Sequence, residues 1–114
     1  MKKITTKDFK EIIYDFEKDK DFKFKGNKPV IIDFYAEWCG PCKMVAPVLE
    51  ELEREGNFTL YKVDVDEEYD LSSTFNIRSI PSILFIPIEG KPIMHTGAFP
   101  KNELKKFIGK YFEE

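Results

Sequence analysis

Pro29-Val30-Ile31-Ile32-Asp33-Phe34-Tyr35-Ala36-Glu37-Trp38-Cys39-Gly40-Pro41-Cys42-Lys43 is the stretch from which the rest of the chain can be read. From Pro29 to Ala36 it is a near-continuous apolar run, as expected for a strand covered on both faces of a sheet, with Asp33 the one charge inside it. Beyond the cysteines the period changes. Met44, Val48 and Leu52 form one row at helical spacing, Val45 and Leu49 lie beside it, and Gly56-Asn57 closes the run. A strand ending near Ala36 and a helix beginning near Gly40 put residues 38–43 at a strand's carboxyl end and a helix's amino end. That is where open α/β sheets usually carry their chemistry.

Working outward, Thr5 and Thr6 are candidate N-caps, and Thr5-x-x-Asp8 has the form of a capping box with Asp in place of Glu. Phe9, Ile12, Ile13 and Phe16 then fall on one helical face. The segment from about 17 to 28 is mostly charged, with Phe22 and Phe24 interleaved and Gly26-Asn27 as a turn signal. It reads as a solvated connector, or else as a partner-binding loop anchored by the two Phe. Phe58 to Asp66 alternates like a strand, and a short helix fits Glu67 to Phe75. Ser82–Pro87 and Pro92–Thr96 read as strands joined by the turn Glu89-Gly90-Lys91, and Pro100 as the first residue of a last helix carrying Leu104, Phe107, Ile108 and Tyr111 on one face. The predicted order is helix, strand, helix, strand, helix, strand, strand, helix. It implies an α/β domain with a mixed sheet flanked by helices, parallel where helices cross over and antiparallel at the hairpin. A single domain over 1–114 is expected.

Charge narrows the function classes. Eighteen Lys and Arg against 21 Asp and Glu give a net charge of −3, which offers no support for binding nucleic acid or an anionic membrane. No apolar run approaches the roughly 20 residues of a membrane span. Met1 to Thr6 has a basic start without an apolar segment behind it, so no signal peptide is expected; a secreted chain with its signal already removed would look the same.

Cys39 and Cys42 are the only cysteines. Three apart in a helical turn, they are close enough for a disulfide without backbone movement. Unpaired N–H groups and the helix dipole favour negative charge at that end, so a thiolate at Cys39 is stabilised. The loop such a disulfide closes is so small that it stabilises the fold by only about 2 kcal/mol. A bond of that kind suits opening and closing better than stapling. Structural zinc normally takes four ligands, and the sole histidine, His95, lies over fifty residues away; no metal site is expected. Two inert core cysteines are the other bland reading, which Trp38 before the pair and Gly40-Pro41 within it disfavour.

The segment from Val30 to Lys43, with Pro47 in the next helix, Ile80-Pro81 and Gly97-Ala98, resembles the thioredoxin family over about three quarters of the chain, from Pro29 to the C-terminus. The resemblance implies the thioredoxin fold and disulfide-reductase activity through a redox-active Cys39–Cys42 disulfide, with no bound cofactor. Cys39 would be the nucleophile, with a pKa in the family near about 7 and the more exposed sulfur of the two. Cys42 would resolve the mixed disulfide. Asp33, read alone, is a satisfied core polar group or a strand-end carboxylate; the resemblance makes it the buried proton acceptor for Cys42. Lys62, otherwise a surface strand lysine, would be its partner. Ile80-Pro81 matches the family's cis-proline site, where the Ile80 backbone would pair with an extended substrate. Trp38, Gly40, Pro41, Ile80, Pro81, Gly97 and Ala98 would form a small collar around Cys39 for substrate. Pro47 is expected to kink its helix, and His95 to be a solvated edge-strand residue without a function.

The family's oxidants and isomerases carry a histidine between the cysteines. Gly40-Pro41 lacks one, which predicts a reductant. The expected partners are disulfide-containing proteins and a recycling reductase, and the expected state is a monomer. The expected location is the cytoplasm, or the periplasm if a signal was removed. Two other readings stay open at this stage. One is a specialised extracytoplasmic reductant fed by a membrane electron donor, for which the charged connector leaves room; the other is a non-catalytic binding module.

Overall fold

The apolar run from Val30 becomes the middle strand of a five-stranded sheet in a computed structural model, which describes residues 1–113. The strands are β1 (Lys2–Lys3), β2 (Val30–Tyr35), β3 (Thr59–Asp64), β4 (Ser82–Ile86) and β5 (Ile93–Thr96), in the spatial order β1-β3-β2-β4-β5. β1, β3 and β2 run parallel, while β4 is antiparallel to β2 and β5 to β4. The helices are α1 (Thr6–Ile12), α2 (Gly40–Glu55), α3 (Tyr69–Thr74) and α4 (Lys101–Phe112). This is the mixed, helix-flanked sheet that the order of elements implies.

Both faces of the sheet are covered, which is why β2 shows no polar alternation: all six of its residues are buried. Val30, Ile32 and Phe34 pack with Phe9, Ile13 and Leu71 on the side of α1 and α3. Ile31 packs with Val45 and Leu49 of α2 and with Leu104 and Ile108 of α4 on the other side. Because side chains alternate along a strand, Asp33 and Tyr35 share the face of Ile31. The strand's period thus sets Asp33 beneath the helix that carries Cys42.

Five details depart from the sequence reading. The two-residue strand β1 was not visible in the sequence, because two exposed lysines show no alternation; it pairs with β3, and the Ile4 N–H continues the ladder to the Lys62 carbonyl at 2.9 Å. Helix α1 stops at Ile12, so Phe16 reaches its partner Phe9, ring centroids 6.2 Å apart, from beyond the helix. Pro100 is the N-cap of α4 rather than its first residue. The 17–28 connector is fastened down: the Phe22 ring packs tilted against Tyr14 with centroids 4.8 Å apart, the Lys25 N–H donates to the Ile13 carbonyl, and Phe22 and Phe24 pack against the core. Its two Phe are engaged by the protein's own core rather than free for a partner. His95, finally, is half-buried rather than freely solvated. Its ring stacks on Phe107 of α4 at 4.0 Å, its Nε2 sits 2.8 Å from the Tyr111 hydroxyl, and burial lowers its pKa, with a further push from Lys110.

The capping box at the start of α1 is complete. The Asp8 N–H donates to Thr5 Oγ1 at 3.1 Å, and the Thr5 N–H donates to the Asp8 carboxylate at 3.0 Å. Thr5→Ala is expected to cost about 1 kcal/mol, measured as a lower midpoint in urea with an unchanged slope.

Candidate active site

Cys39 and Cys42 are joined as a disulfide, Cα atoms 5.3 Å apart, at the amino end of α2. Cys39 is the N-cap, with extended backbone, and its Sγ accepts the Cys42 N–H at 3.2 Å. An amide at a helix's first turn therefore points at this sulfur, and the same donor would meet a thiolate there once the bond is reduced. The expectation that Cys39 is the more exposed sulfur is not met in the oxidised form: both residues are 3% exposed. What distinguishes them is the direction in which each looks.

Cys39 looks toward the Ile80 loop. Its Sγ lies 3.9 Å from the Ile80 carbonyl oxygen, and Ile80 packs on the cluster of Tyr35, Ala36, Cys39 and Cys42. The Ile80–Pro81 peptide bond is cis. Gly97 is tied to this loop by its N–H, which donates to the Pro81 carbonyl at 2.8 Å, and its φ of 131° is a conformation that favours glycine. Ala98 follows it, exposed. A Cβ on Gly40 would meet nothing within 4 Å, so the surface over the first turn of α2 is open to an approaching chain. Trp38 is 71% exposed, an unusual state for the largest side chain, and is held in place by its Nε1–H donating to Asp66 at 2.8 Å. Trp38 and Ile80 form one end of a groove of about 430 Å³ that continues along Val65, Tyr69, Asn76 and Arg78.

Cys42 looks the other way, into a cleft of about 170 Å³ that it lines together with Asp33, Tyr35, Glu50 and Lys62. Asp33 is 1% exposed, and its Oδ1 has no hydrogen-bond partner. Burial raises its pKa to about 7, with Lys62 pulling in the opposite direction. Lys62 stands opposite Asp33 in the parallel register of β2 and β3, and its Nζ lies 5.3 Å from the centroid of the Tyr35 ring. Every residue expected at the site is thus near the disulfide or on a loop tied to it. Asp66 and Tyr35 went unread in the sequence, since each meets its partner, Trp38 or Lys62, only through the fold. Among the described residues no three His, Cys, Asp or Glu side chains gather as metal ligands, and no helix is long and apolar enough to cross a membrane.

Comparison with known proteins agrees with this geometry. The protein-family model described as Thioredoxin matches residues 1–110. The thioredoxin of Borreliella burgdorferi is 43% identical over 111 residues, spanning 96% of this chain and 95% of that protein. The thioredoxin of Haemophilus influenzae is 40% identical over 98 residues, spanning 82% and 92%. Among solved structures, chloroplastic thioredoxin z superposes with a TM-score of 0.79 at 30% identity, covering 97% of this chain and 93% of that one. With a redox disulfide at the amino end of α2, a buried carboxylate behind it and relatives at this identity along nearly its whole length, the chain belongs to the thioredoxin family and is a thiol-disulfide oxidoreductase.

Proposed function

We propose that the reduced chain donates two electrons to disulfides in other proteins, with Cys39 attacking and Cys42 resolving. The observation that carries this reading is the opposed setting of the two sulfurs. Cys39 receives an amide N–H at the helix start and faces the substrate side; Cys42 faces the cleft that holds the buried Asp33 carboxylate, whose Oδ1 has no hydrogen-bond partner.

In the first step the Cys39 thiolate attacks one sulfur of the target. The target's S–S bond breaks, a mixed disulfide forms, and the leaving sulfur departs as a thiolate that takes up a proton. In the second, Cys42 gives its proton to Asp33 and attacks the Cys39 sulfur; the mixed disulfide breaks, the Cys39–Cys42 bond forms, and the second target sulfur leaves as a thiolate that takes up a proton. A carboxylate with a pKa near 7 is matched to this task near neutrality, since it is neither permanently ionised nor permanently protonated. Lys62 moderates its charge. Trp38, Gly40, Pro41, Ile80, Pro81, Gly97 and Ala98 form the surface on which an extended target segment lies, with the Ile80 backbone free to pair as an added strand would. A second dithiol enzyme, a recycling reductase, returns the two electrons. A reducing compartment such as the cytoplasm suits a chain of this polarity.

Reduction of insulin by the dithiol form, with the potential measured against glutathione, tests the reading. Thioredoxins lie at about −270 mV, a family value rather than one read from this chain, against roughly −180 mV for the isomerase. The expected potential falls at the reducing end; one above about −200 mV overturns the reductase direction.

A further inference from the structure

Asp33 and Lys62 are register partners on adjacent strands, yet among the described residues no hydrogen bond or ion pair joins them. Asp33 Oδ1 is buried without a partner, and Lys62 is in none of the ion pairs found. A lysine is a compact, strongly hydrated charge on a four-carbon stem with ample rotamer freedom. Left alone beside a cleft, it would spend its time in water. Here its Nζ sits over the ring of Tyr35 instead, 5.3 Å from the centroid, within the reach of a cation–π contact. Tyr35 follows Asp33 by two residues on β2, so the two side chains share a face, and Asp33, Tyr35, Lys62 and Cys42 line one cleft.

We propose that Tyr35 is a positioning residue: its ring holds the Lys62 ammonium at the cleft beside Asp33 without letting the two close into an ion pair. The inference rests on the reading of Asp33 as the proton acceptor for Cys42. A direct salt bridge would keep a carboxylate ionised and unfit to take up a proton. A cation held on a neighbouring ring supplies part of that stabilisation and leaves the carboxylate able to titrate. The other charges around the cleft are of mixed sign. Glu50 and Lys43 come from α2, Glu37 from the turn after β2, and the Met1 ammonium lies 3.6 Å from Glu50. Lys62 on β3 is the charge that bears most directly on Asp33.

The test is the titration of the Asp33 carboxyl carbon by NMR in the oxidised protein, where the two sulfurs do not titrate alongside it. Tyr35→Leu is expected to raise the Asp33 midpoint by roughly half a pH unit, the scale of an exposed cation–π contact. Tyr35→Phe keeps the ring and the midpoint. Lys62→Met raises the midpoint at least as far as Tyr35→Leu, and adding Tyr35→Leu to Lys62→Met moves it no further. An unmoved midpoint in Tyr35→Leu, or an equal shift with Lys62 already removed, overturns the proposal. Should Tyr35→Leu fail to fold, the unmodified protein decides: ring current moves the Lys62 ε-methylene protons upfield if the ammonium sits on the ring, and ordinary lysine positions overturn it. The underlying base assignment is read separately, from the pH profile of mixed-disulfide resolution. A Tyr35→Leu protein whose Asp33 midpoint moves while that profile stays put upholds the clamp and removes the base role.

Discussion

Cys39→Ser is expected to abolish reduction of a protein disulfide, by at least about a thousand-fold, whereas Cys42→Ser is expected to form a mixed disulfide with the target and stay there. The two variants make a controlled pair. Each removes the same disulfide, so each loses the same small loop-closure contribution of about 2 kcal/mol, and their stabilities should agree. Their chemistry should not. Without Cys39 no sulfur receives the Cys42 N–H or faces the Ile80 carbonyl, and the serine hydroxyl stays un-ionised near neutrality. Without Cys42 the first attack proceeds, but no sulfur stands one turn into α2 to break the new bond. On a non-reducing gel the Cys42→Ser protein should carry targets as adducts that dithiothreitol releases, and the Cys39→Ser protein should carry none. Adducts of equal abundance in the two variants, or adducts on Cys39→Ser alone, would reverse the roles given to the two sulfurs.

The placing of the two cysteines at a helix start was legible in the sequence because the features that set it are local. Cys39, Gly40, Pro41 and Cys42 are contiguous, and a helix start is signalled by its neighbours. The apolar run from Val30 likewise declares a strand with both faces covered, and the alternation of β2 then assigns Asp33 to the face of α2 without further information. The hairpin turn at Gly90, with φ of 98°, was marked by its glycine. What could not be read depends on which strands become neighbours. Lys62 faces Asp33 only because β3 lies parallel to β2 in one particular register, and Tyr35 holds Lys62 only as a consequence of that register. The bond from Trp38 to Asp66 spans 28 residues for the same reason.

Two misreadings have a common physical origin. Solvation read along the chain rests on a residue's type and its neighbours, yet packing is settled by what the fold brings over them. The connector's lysines are exposed while Phe22 and Phe24 turn inward between them. His95 sits on an edge strand that α4 happens to cover, so it is half-buried, stacked on Phe107 and in reach of the Tyr111 hydroxyl. Edge strands can be solvated on one face or roofed by a helix, and no residue within β5 distinguishes the two.

Asp33→Ala is expected to make the protein more stable at pH 8 and slower at finishing its reaction. Burial raises the Asp33 pKa to about 7, against about 3.9 in an unfolded chain. Between those values the folded state binds more protons than the unfolded state, so stability falls as pH rises through this window and levels off above it. The full drop is about 4 kcal/mol at most. Removing the carboxylate removes the slope: the variant should be close to the parent near pH 4, where Asp33 is protonated in the folded state and only a small cavity is added, and should exceed it by a few kcal/mol at pH 8. Urea titrations at the two pH values measure the difference. Over the same range, resolution of a preformed mixed disulfide should be slower by about a hundredfold, the usual loss for a positioned general base, and should lose its rise through neutral pH. A variant equally stable at both pH values relative to the parent would mean that Asp33 is not held against its own charge. A variant stabilised at pH 8 but unimpaired in resolution would mean that the burial is real and the proton goes elsewhere. The two measurements together separate what the carboxylate costs the fold from what it does for Cys42, and a stabilised but slow variant is the outcome that ties them to one side chain.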